Sequence, residues 1–139
     1  MKKSQQIRLA PVQNAEIQDL IPILSRRKKI AAAYVFGSAS TGRNRRGSDI
    51  DLAIVARKTV SGRERIRLET ALSNLLKRDV DLVVFDQAAT LLQHQILKYG
   101  RLIYETDPAE RVRQEVRARA EYLDTRELFR EIPGLVRNS

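Results

Sequence analysis

The sequence FGSASTGRNRRGSDIDL spans residues 36–52 and joins two short apolar runs. The first run, Ala31 to Phe36, is rich in strand-forming residues and ends at a glycine, which predicts a buried strand. The second run, Ile50 to Val55, predicts another strand, with Asp49 and Asp51 at its start. Alternate residues of a strand project to the same face, with side-chain bases roughly 6–7 Å apart. The stretch therefore predicts two strands with a pair of carboxylates on one face.

The carboxylate pair indicates a metal site. Two like charges on one face of a sheet repel each other, and a bound cation would offset that repulsion. Flexible carboxylates at the spacing of Asp49 and Asp51 can converge on one divalent ion. Hard oxygen ligands suit Mg²⁺ or Mn²⁺. We therefore expect Asp49 and Asp51 to act as metal ligands.

The turn after the first strand predicts a phosphate-binding loop. Glycine at position 37 allows the backbone to approach a phosphate closely, and the N–H groups of a turn can cradle it. The Ser38 hydroxyl adds a further donor. Gly42 and Gly47 interrupt the following residues, which marks 37–48 as a loop. A phosphate cradle beside metal-binding carboxylates is the combination that a nucleoside triphosphate and its metal require.

A third carboxylate occurs in a later strand. The run from Val80 to Phe85 predicts this strand, and Asp81 faces opposite to Val80 and Leu82. If this strand neighbours the second one, Asp81 reaches the same pocket as Asp51. Asp79 shares the parity of Asp81, but it stands at the start of the strand, where it serves equally well as a turn residue.

The remaining periodicity predicts four helices and one more strand. We expect helices at 15–28, where Pro22 introduces a break or kink, after the Ser61-Gly62-Arg63-Glu64 capping box, at Leu91–Tyr99 and at 108–130, and a strand at 102–104. The order α-β-β-α-β-α-β-α predicts an α/β (α+β) fold, a mixed sheet of about four strands flanked by helices. We expect one small domain over residues 1–139, with a core at about 15–106 and a C-terminal helix at about 108–130.

The C-terminal helix has an apolar stripe formed by Val112, Val116, Ala120 and Leu123. We expect this stripe to pack mostly on the core, and the tail of the helix near Leu128, Phe129 and Ile132 to contact a partner. His94 lies among leucines and isoleucines of the preceding helix and is expected to be a half-buried structural histidine.

Composition excludes several kinds of site. The chain has 139 residues, no cysteine and one histidine, which rules out disulfides and thiolate zinc sites and disfavours a catalytic triad. No apolar stretch of 18 or more residues is present, so no membrane contact is expected and the cytoplasm is the default location. The net charge is +9, and residues 1–48 carry 10 basic and 2 acidic side chains. Such a field attracts polyanions, but few aromatic residues are available for stacking, so direct nucleic-acid binding is not expected.

The pattern of Gly37-Ser38, ten residues, then Asp49-x-Asp51 resembles the signature of the DNA polymerase β-type nucleotidyltransferase superfamily. Sequences of its minimal nucleotidyltransferase (MNT) branch are similar to two segments of this chain, Ser48-Asp49-Ile50-Asp51-Leu52 and the later Asp81-Leu82-Val83. The resemblance implies that Asp49, Asp51 and Asp81 are the catalytic, metal-binding carboxylates. It implies nucleotide contacts from Gly37, Ser38, Arg43 and Ser48. Many members have a basic residue where this chain has Thr41, and Arg43, Arg45 or Arg46 would replace that contact.

The resemblance also implies a partner and a reaction. Members of this branch are antitoxins paired with a HEPN-type ribonuclease toxin, and they transfer AMP from ATP to a tyrosine of that toxin. The implied cofactor is Mg²⁺, with two ions in the site and Mn²⁺ as a substitute, and ATP is the implied substrate.

Other readings stay open at this point. The chain could neutralise its toxin by steric blocking with a vestigial nucleotide site. It could instead be a nucleotidyltransferase acting on a small molecule or RNA with a separate acceptor subunit. Replacing Asp49 and Asp51 with asparagine separates catalysis from blocking.

Overall fold

The computed structural model describes residues 15–37 and 49–130. Helices α1 and α2 span Ala15–Gln18 and Ile21–Ser25, followed by strands β1 at Ile30–Phe36 and β2 at Ile50–Ala56. The chain continues with helix α3 at Gly62–Leu76, strand β3 at Val80–Val84 and a short 3-10 turn at Phe85–Gln87. It ends with helix α4 at Thr90–Tyr99, strand β4 at Arg101–Glu105 and helix α5 at Pro108–Phe129. The predicted α+β class and four-stranded mixed sheet are confirmed.

The first predicted helix is divided into two short ones. Pro22 stands in the first turn of α2, where its missing N–H has no partner to lose. The predicted capping box at Ser61 is confirmed, and the structure adds a second cap at Asp107. The Ser61 Oγ accepts a hydrogen bond from the Glu64 N–H at 3.1 Å, and Asp107 Oδ1 accepts one from the Glu110 N–H at 3.1 Å. Local capping chemistry thus sets where α3 and α5 begin.

The sheet has the strand order β3-β2-β1-β4. Strand β1 runs antiparallel to β2 and β4, whereas β2 and β3 are parallel. Helices α1, α2 and α3 cover one face, where a core cluster includes Leu24, Leu52 and Leu72. Helices α4 and α5 cover the other face, where the cluster includes Tyr34, Val55, Phe85, Ile96 and Ala118. The protein is therefore a three-layer arrangement with two separate apolar cores.

The expectation for helix α5 is wrong. Val112, Val116 and Leu123 are exposed to 44%, 58% and 57%, and the face toward the sheet instead carries Arg111, Gln114 and Glu115 with Ala118. The polar face is buried because the sheet offers it partners.

Those partners form a buried polar network. Arg111 pairs with Glu105 of β4 and lies 2.8 Å from Glu115 Oε2, and the Tyr34 hydroxyl donates to Glu115. Gln114 Nε2 donates to the Ala56 carbonyl at 2.9 Å. These contacts fix the register of α5 on the sheet, although Glu105 Oε1, Arg111 Nη2 and Gln114 Oε1 have no hydrogen-bond partner within the described ranges.

Within the described ranges, no helix combines the length and the apolar character needed to cross a membrane.

Candidate active site

Asp51 lies near the start of β2, which is one of the two central strands of the sheet. Its register partner in β1 is Phe36, and its register partner in β3 is Asp81. Asp51 and the buried Leu52 face opposite sides of the sheet. Asp51 shares a face with Ala53 and Val55, which belong to the core beneath α4 and α5. Side chains of register partners project from the same face of a sheet. The structure therefore places the Asp51 and Asp81 carboxylates side by side on the α4 and α5 face, which meets the condition that the sequence analysis set for Asp81.

Gly37 directly follows β1 and stands against the Asp51 carboxylate. Its φ angle is +69°, in the left-handed region that side chains rarely adopt. A Cβ atom at this position would lie 2.5 Å from Asp51 Oδ2, closer than such contacts occur. The backbone angle favours glycine here, and a side chain at this position would displace the Asp51 carboxylate. The turn after β1 and the carboxylate of β2 thus form one unit, which the loop spacing alone does not reveal.

The three carboxylates create a negative potential at this end of the sheet. Burial raises the pKa of Asp51, and the negative charges of Asp81 and Asp49 raise it further. Asp49, just before β2, and Asp81 are both exposed. Repulsion of this kind is relieved when a cation binds between carboxylates.

The donor set is appropriate for a hard divalent cation, since all three candidates supply carboxylate oxygens. Within residues 15–37 and 49–130, no three His, Cys, Asp or Glu side chains are arranged closely enough to hold a metal ion. Ligation by Asp49, Asp51 and Asp81 together therefore stays a prediction, supported by the register of the Asp51–Asp81 pair and by the potential at Asp51.

A cleft of about 260 Å³ opens beside Asp49 and Asp81, and Asp79 and Glu69 also contribute to its wall. Asp79 is exposed and its carbonyl accepts a hydrogen bond from the Ile50 N–H at 2.9 Å. This bond joins the start of β3 to the start of β2 and so sets the register of the two carboxylate-bearing strands. This bond uses the backbone of Asp79, and the role of its side chain stays a prediction.

Helix α3 holds the outer edge of β3 through two side chains that the sequence reasoning missed. The Leu82 N–H donates to Glu69 Oε2 at 2.8 Å, and the Val80 N–H donates to Ser73 Oγ at 3.0 Å. These two bonds flank Asp81 on either side. Glu69 and Ser73 therefore act as positioning residues for Asp81. The only sequence signal was a pair of polar residues four apart in an amphipathic helix, which is common on solvated faces.

Several predicted nucleotide contacts lie outside the described residues. These are Ser38, Arg43 and Ser48, together with Arg45 and Arg46, which were considered as replacements for the basic residue missing at Thr41. Their roles stay predictions.

Comparison with known proteins adds independent information. The family "Polymerase beta, Nucleotidyltransferase" matches residues 18–109, a range that includes Gly37, Asp49, Asp51 and Asp81. The protein adenylyltransferase MntA of Shewanella oneidensis is 38% identical over 78 residues. That alignment covers 56% of this chain and 56% of the length of that relative.

Two solved structures are also similar. A crystal structure of a toxin–antitoxin with AMP-PNP has a TM-score of 0.71 and 30% identity, covering 85% of this chain and 93% of that chain. A structure of the tri-AMPylated HEPN toxin of Shewanella oneidensis in complex with MNT antitoxin has a TM-score of 0.66 and 27% identity, covering 85% and 90%.

Proposed function

The chain belongs to the polymerase β nucleotidyltransferase family, as its motif predicts, and we propose that it is a protein adenylyltransferase. In this proposal it transfers AMP from ATP to a tyrosine of a HEPN-type ribonuclease toxin and neutralises that toxin. The proposal names the partner and the transferred group from the relatives, which include an adenylyltransferase and complexes of a HEPN toxin with its antitoxin.

One observation carries the proposal. Asp51 and Asp81 are register partners on adjacent strands, and the left-handed Gly37 stands against the Asp51 carboxylate. The turn proposed to approach a phosphate and two of the carboxylates proposed as metal ligands thus meet at one point of the sheet. That juxtaposition supports binding of a nucleoside triphosphate with its cation rather than either ligand alone.

The reaction is an in-line displacement at the α-phosphorus. The oxygen of the acceptor hydroxyl forms a bond to the α-phosphorus, and the bond from that phosphorus to the bridging oxygen of the β-phosphate breaks. Pyrophosphate leaves, and the hydroxyl proton passes to Asp81, whose exposed carboxylate is open to the acceptor. Positioning and charge neutralisation are the main contributions of a protein to phosphoryl chemistry.

The residues divide this work. Gly37, Ser38, Arg43 and Ser48 hold the triphosphate, and Asp49, Asp51 and Asp81 hold the cations. These carboxylates would hold two divalent ions, Mg²⁺ or Mn²⁺, which would supply charge neutralisation at the phosphates and at the attacking and leaving oxygens. Glu69 and Ser73 keep Asp81 in place through their bonds to the β3 backbone.

Intact-mass spectrometry of the HEPN partner tests the proposal. The partner is incubated with the chain, ATP and Mg²⁺, and we expect its mass to rise by one or more AMP units. The Asp51→Asn variant and a reaction with excess EDTA should give no increase. Asp79→Asn is the matched control, because Asp79 lines the same cleft but is not assigned a catalytic role. An unchanged mass together with full neutralisation of the toxin would instead establish a steric antitoxin.

A further inference from the structure

Helix α5 presents an apolar stripe to the outside of the protein. Val112, Val116 and Leu123 follow helical spacing on one face, and that face points away from the sheet. The opposite side of the same helix is held on the sheet by the Arg111 network. The helix therefore cannot rotate to bury the stripe without breaking buried ion pairs. An apolar stripe fixed in an exposed position is typical of a protein-binding surface.

Leu123, at the C-terminal end of the stripe, lines a groove between α4 and α5, which we call the α4–α5 groove. It has a volume of about 440 Å³ and is lined by His94, Lys98, Arg119, Tyr122, Leu123 and Arg126, among others. The rings of His94 and Tyr122 stack at a centroid distance of 3.7 Å with planes 6° apart. This stack joins the two helices and forms a rigid wall of the groove.

The α4–α5 groove is positively charged. Lys98, Arg119 and Arg126 line it, and no Asp or Glu side chain is among its described lining residues. Arg119 lies 3.5 Å from Glu115, which sits on the buried side of α5. The Nε atom of Arg126 is buried and has no hydrogen-bond partner within the described ranges. The groove therefore offers cationic donors to an incoming carboxylate.

The groove lies on the same face and at the same end of the sheet as the carboxylate site. Lys98 is in the last turn of α4, and the chain then enters β4, where Arg101 is the register partner of Val35. Val35 precedes Phe36, which is the register partner of Asp51. The Asp51 side chain also projects to the face covered by α4 and α5. A molecule bound in the groove is thus held at the end of the sheet where transfer takes place.

We propose that the α4–α5 groove docks an acidic segment of the protein that accepts AMP, with an apolar side chain of that segment against Leu123 and its carboxylates against Lys98 and Arg126. This inference rests on the proposed function for the identity of the partner. The docked segment brings the acceptor to the carboxylate end of the sheet, so the groove determines which protein is modified.

Charge and surface chemistry favour this occupant over others. A second copy of the chain docking through the same groove would bring like charges together. A nucleic acid would use the cations and leave Leu123 without an apolar partner. Protein interfaces combine tyrosine, arginine and aliphatic side chains in this way, with charged groups at the rim.

The test compares two double variants of the full chain by calorimetric titration with the HEPN partner. Lys98→Glu/Leu123→Asp changes the groove, and Lys58→Glu/Leu75→Asp makes the same changes at exposed positions outside it. Leu75 belongs to α3, on the opposite side of the sheet. We expect the groove variant to bind at least about tenfold more weakly, and the control within about twofold of the unmodified chain. Equal melting temperatures of the two variants verify that both fold.

The absence of cysteine allows a direct mapping experiment. A benzophenone placed on Leu123→Cys should cross-link to an acidic peptide of the partner, whereas one on Leu75→Cys should not. Equal affinity of the two double variants would overturn the proposal. Self-association or RNA binding lost only in the groove variant, with partner affinity unchanged, would also overturn it by assigning another occupant. Partner binding by the unmodified chain without AMP transfer would count against the proposed function and leave the docking site intact.

Discussion

Replacing Gly37 with alanine changes the point where the turn after β1 meets the Asp51 carboxylate. Alanine in a left-handed conformation such as φ +69° costs about 1–2 kcal/mol. The new Cβ would lie 2.5 Å from Asp51 Oδ2, and ordinary contact begins near 3.4 Å. The carboxylate is the far end of a flexible side chain, so it turns aside by roughly 1 Å while the sheet stays folded.

The substitution should affect the melting temperature only slightly and the rate of AMP transfer strongly. The strain in a chain of 139 residues lowers the melting temperature by about 3–8 °C. Displacement of a reacting group by roughly 1 Å lowers the rate of AMP transfer by about 100-fold. We would measure melting by circular dichroism and transfer by single-turnover intact-mass analysis of the HEPN partner.

Gly62→Ala is the matched control. A Cβ at Gly62 meets no atom within 4 Å, and the position is in the first turn of α3. Alanine there should leave transfer unchanged and raise stability by about 0.5–1 kcal/mol. A Gly37→Ala protein that melts several degrees lower but keeps transfer within threefold would refute the reasoning, because the contact with Asp51 would then have no positioning role.

Three further substitutions test other parts of the structure. Tyr34→Phe removes the hydroxyl that donates to buried Glu115, and it should lower the free energy of unfolding by about 1.5–3 kcal/mol in urea titrations; a change below 0.5 kcal/mol would contradict the buried network. Burial and the bond to Glu115 raise the pKa of Tyr34, so this cost should be constant from pH 6 to 9. The hydrogen bond from Lys29 and that from the Ser61 N–H lower the pKa of Glu64 to about 2. The difference in free energy of unfolding between the unmodified protein and Glu64→Gln should therefore be full above about pH 5 and should narrow as the pH falls toward 2. A difference that is independent of pH would argue against the pairing. Glu69→Ala leaves the Leu82 N–H without its acceptor and should reduce AMP transfer by about tenfold, whereas Thr70→Ala, in the wall of the same cleft, should not; equal rates would remove Glu69 from the positioning of Asp81.

Much of the site follows from local pattern. The strand that carries Asp51, the glycine after β1 and the capping box at Ser61 depend on contacts between residues only a few positions apart. Such contacts have nearly the same geometry wherever they occur, so the sequence is sufficient to predict them. The fold class followed from the same periodicities.

The burial of α5 was not predictable in this way. Its hydrophobic pattern predicts that the apolar stripe packs on the sheet. Instead, Arg111, Gln114 and Glu115 form their contacts on that side, and the apolar stripe is exposed to solvent. Periodicity measures only the preference of side chains for water. The periodicity of a helix contains no information on the carboxylate of β4 or the hydroxyl of β1 that lies on the sheet facing it.

The sequence by itself determined the strands, the caps and the chemical types of the site residues, because these depend on short-range geometry. Only the tertiary structure decided that β3 lies beside β2 with Asp81 opposite Asp51, that Glu69 and Ser73 hold the edge of β3, and that Gly37 touches the Asp51 carboxylate. These contacts join residues far apart in the chain, and their pairing depends on how whole elements pack.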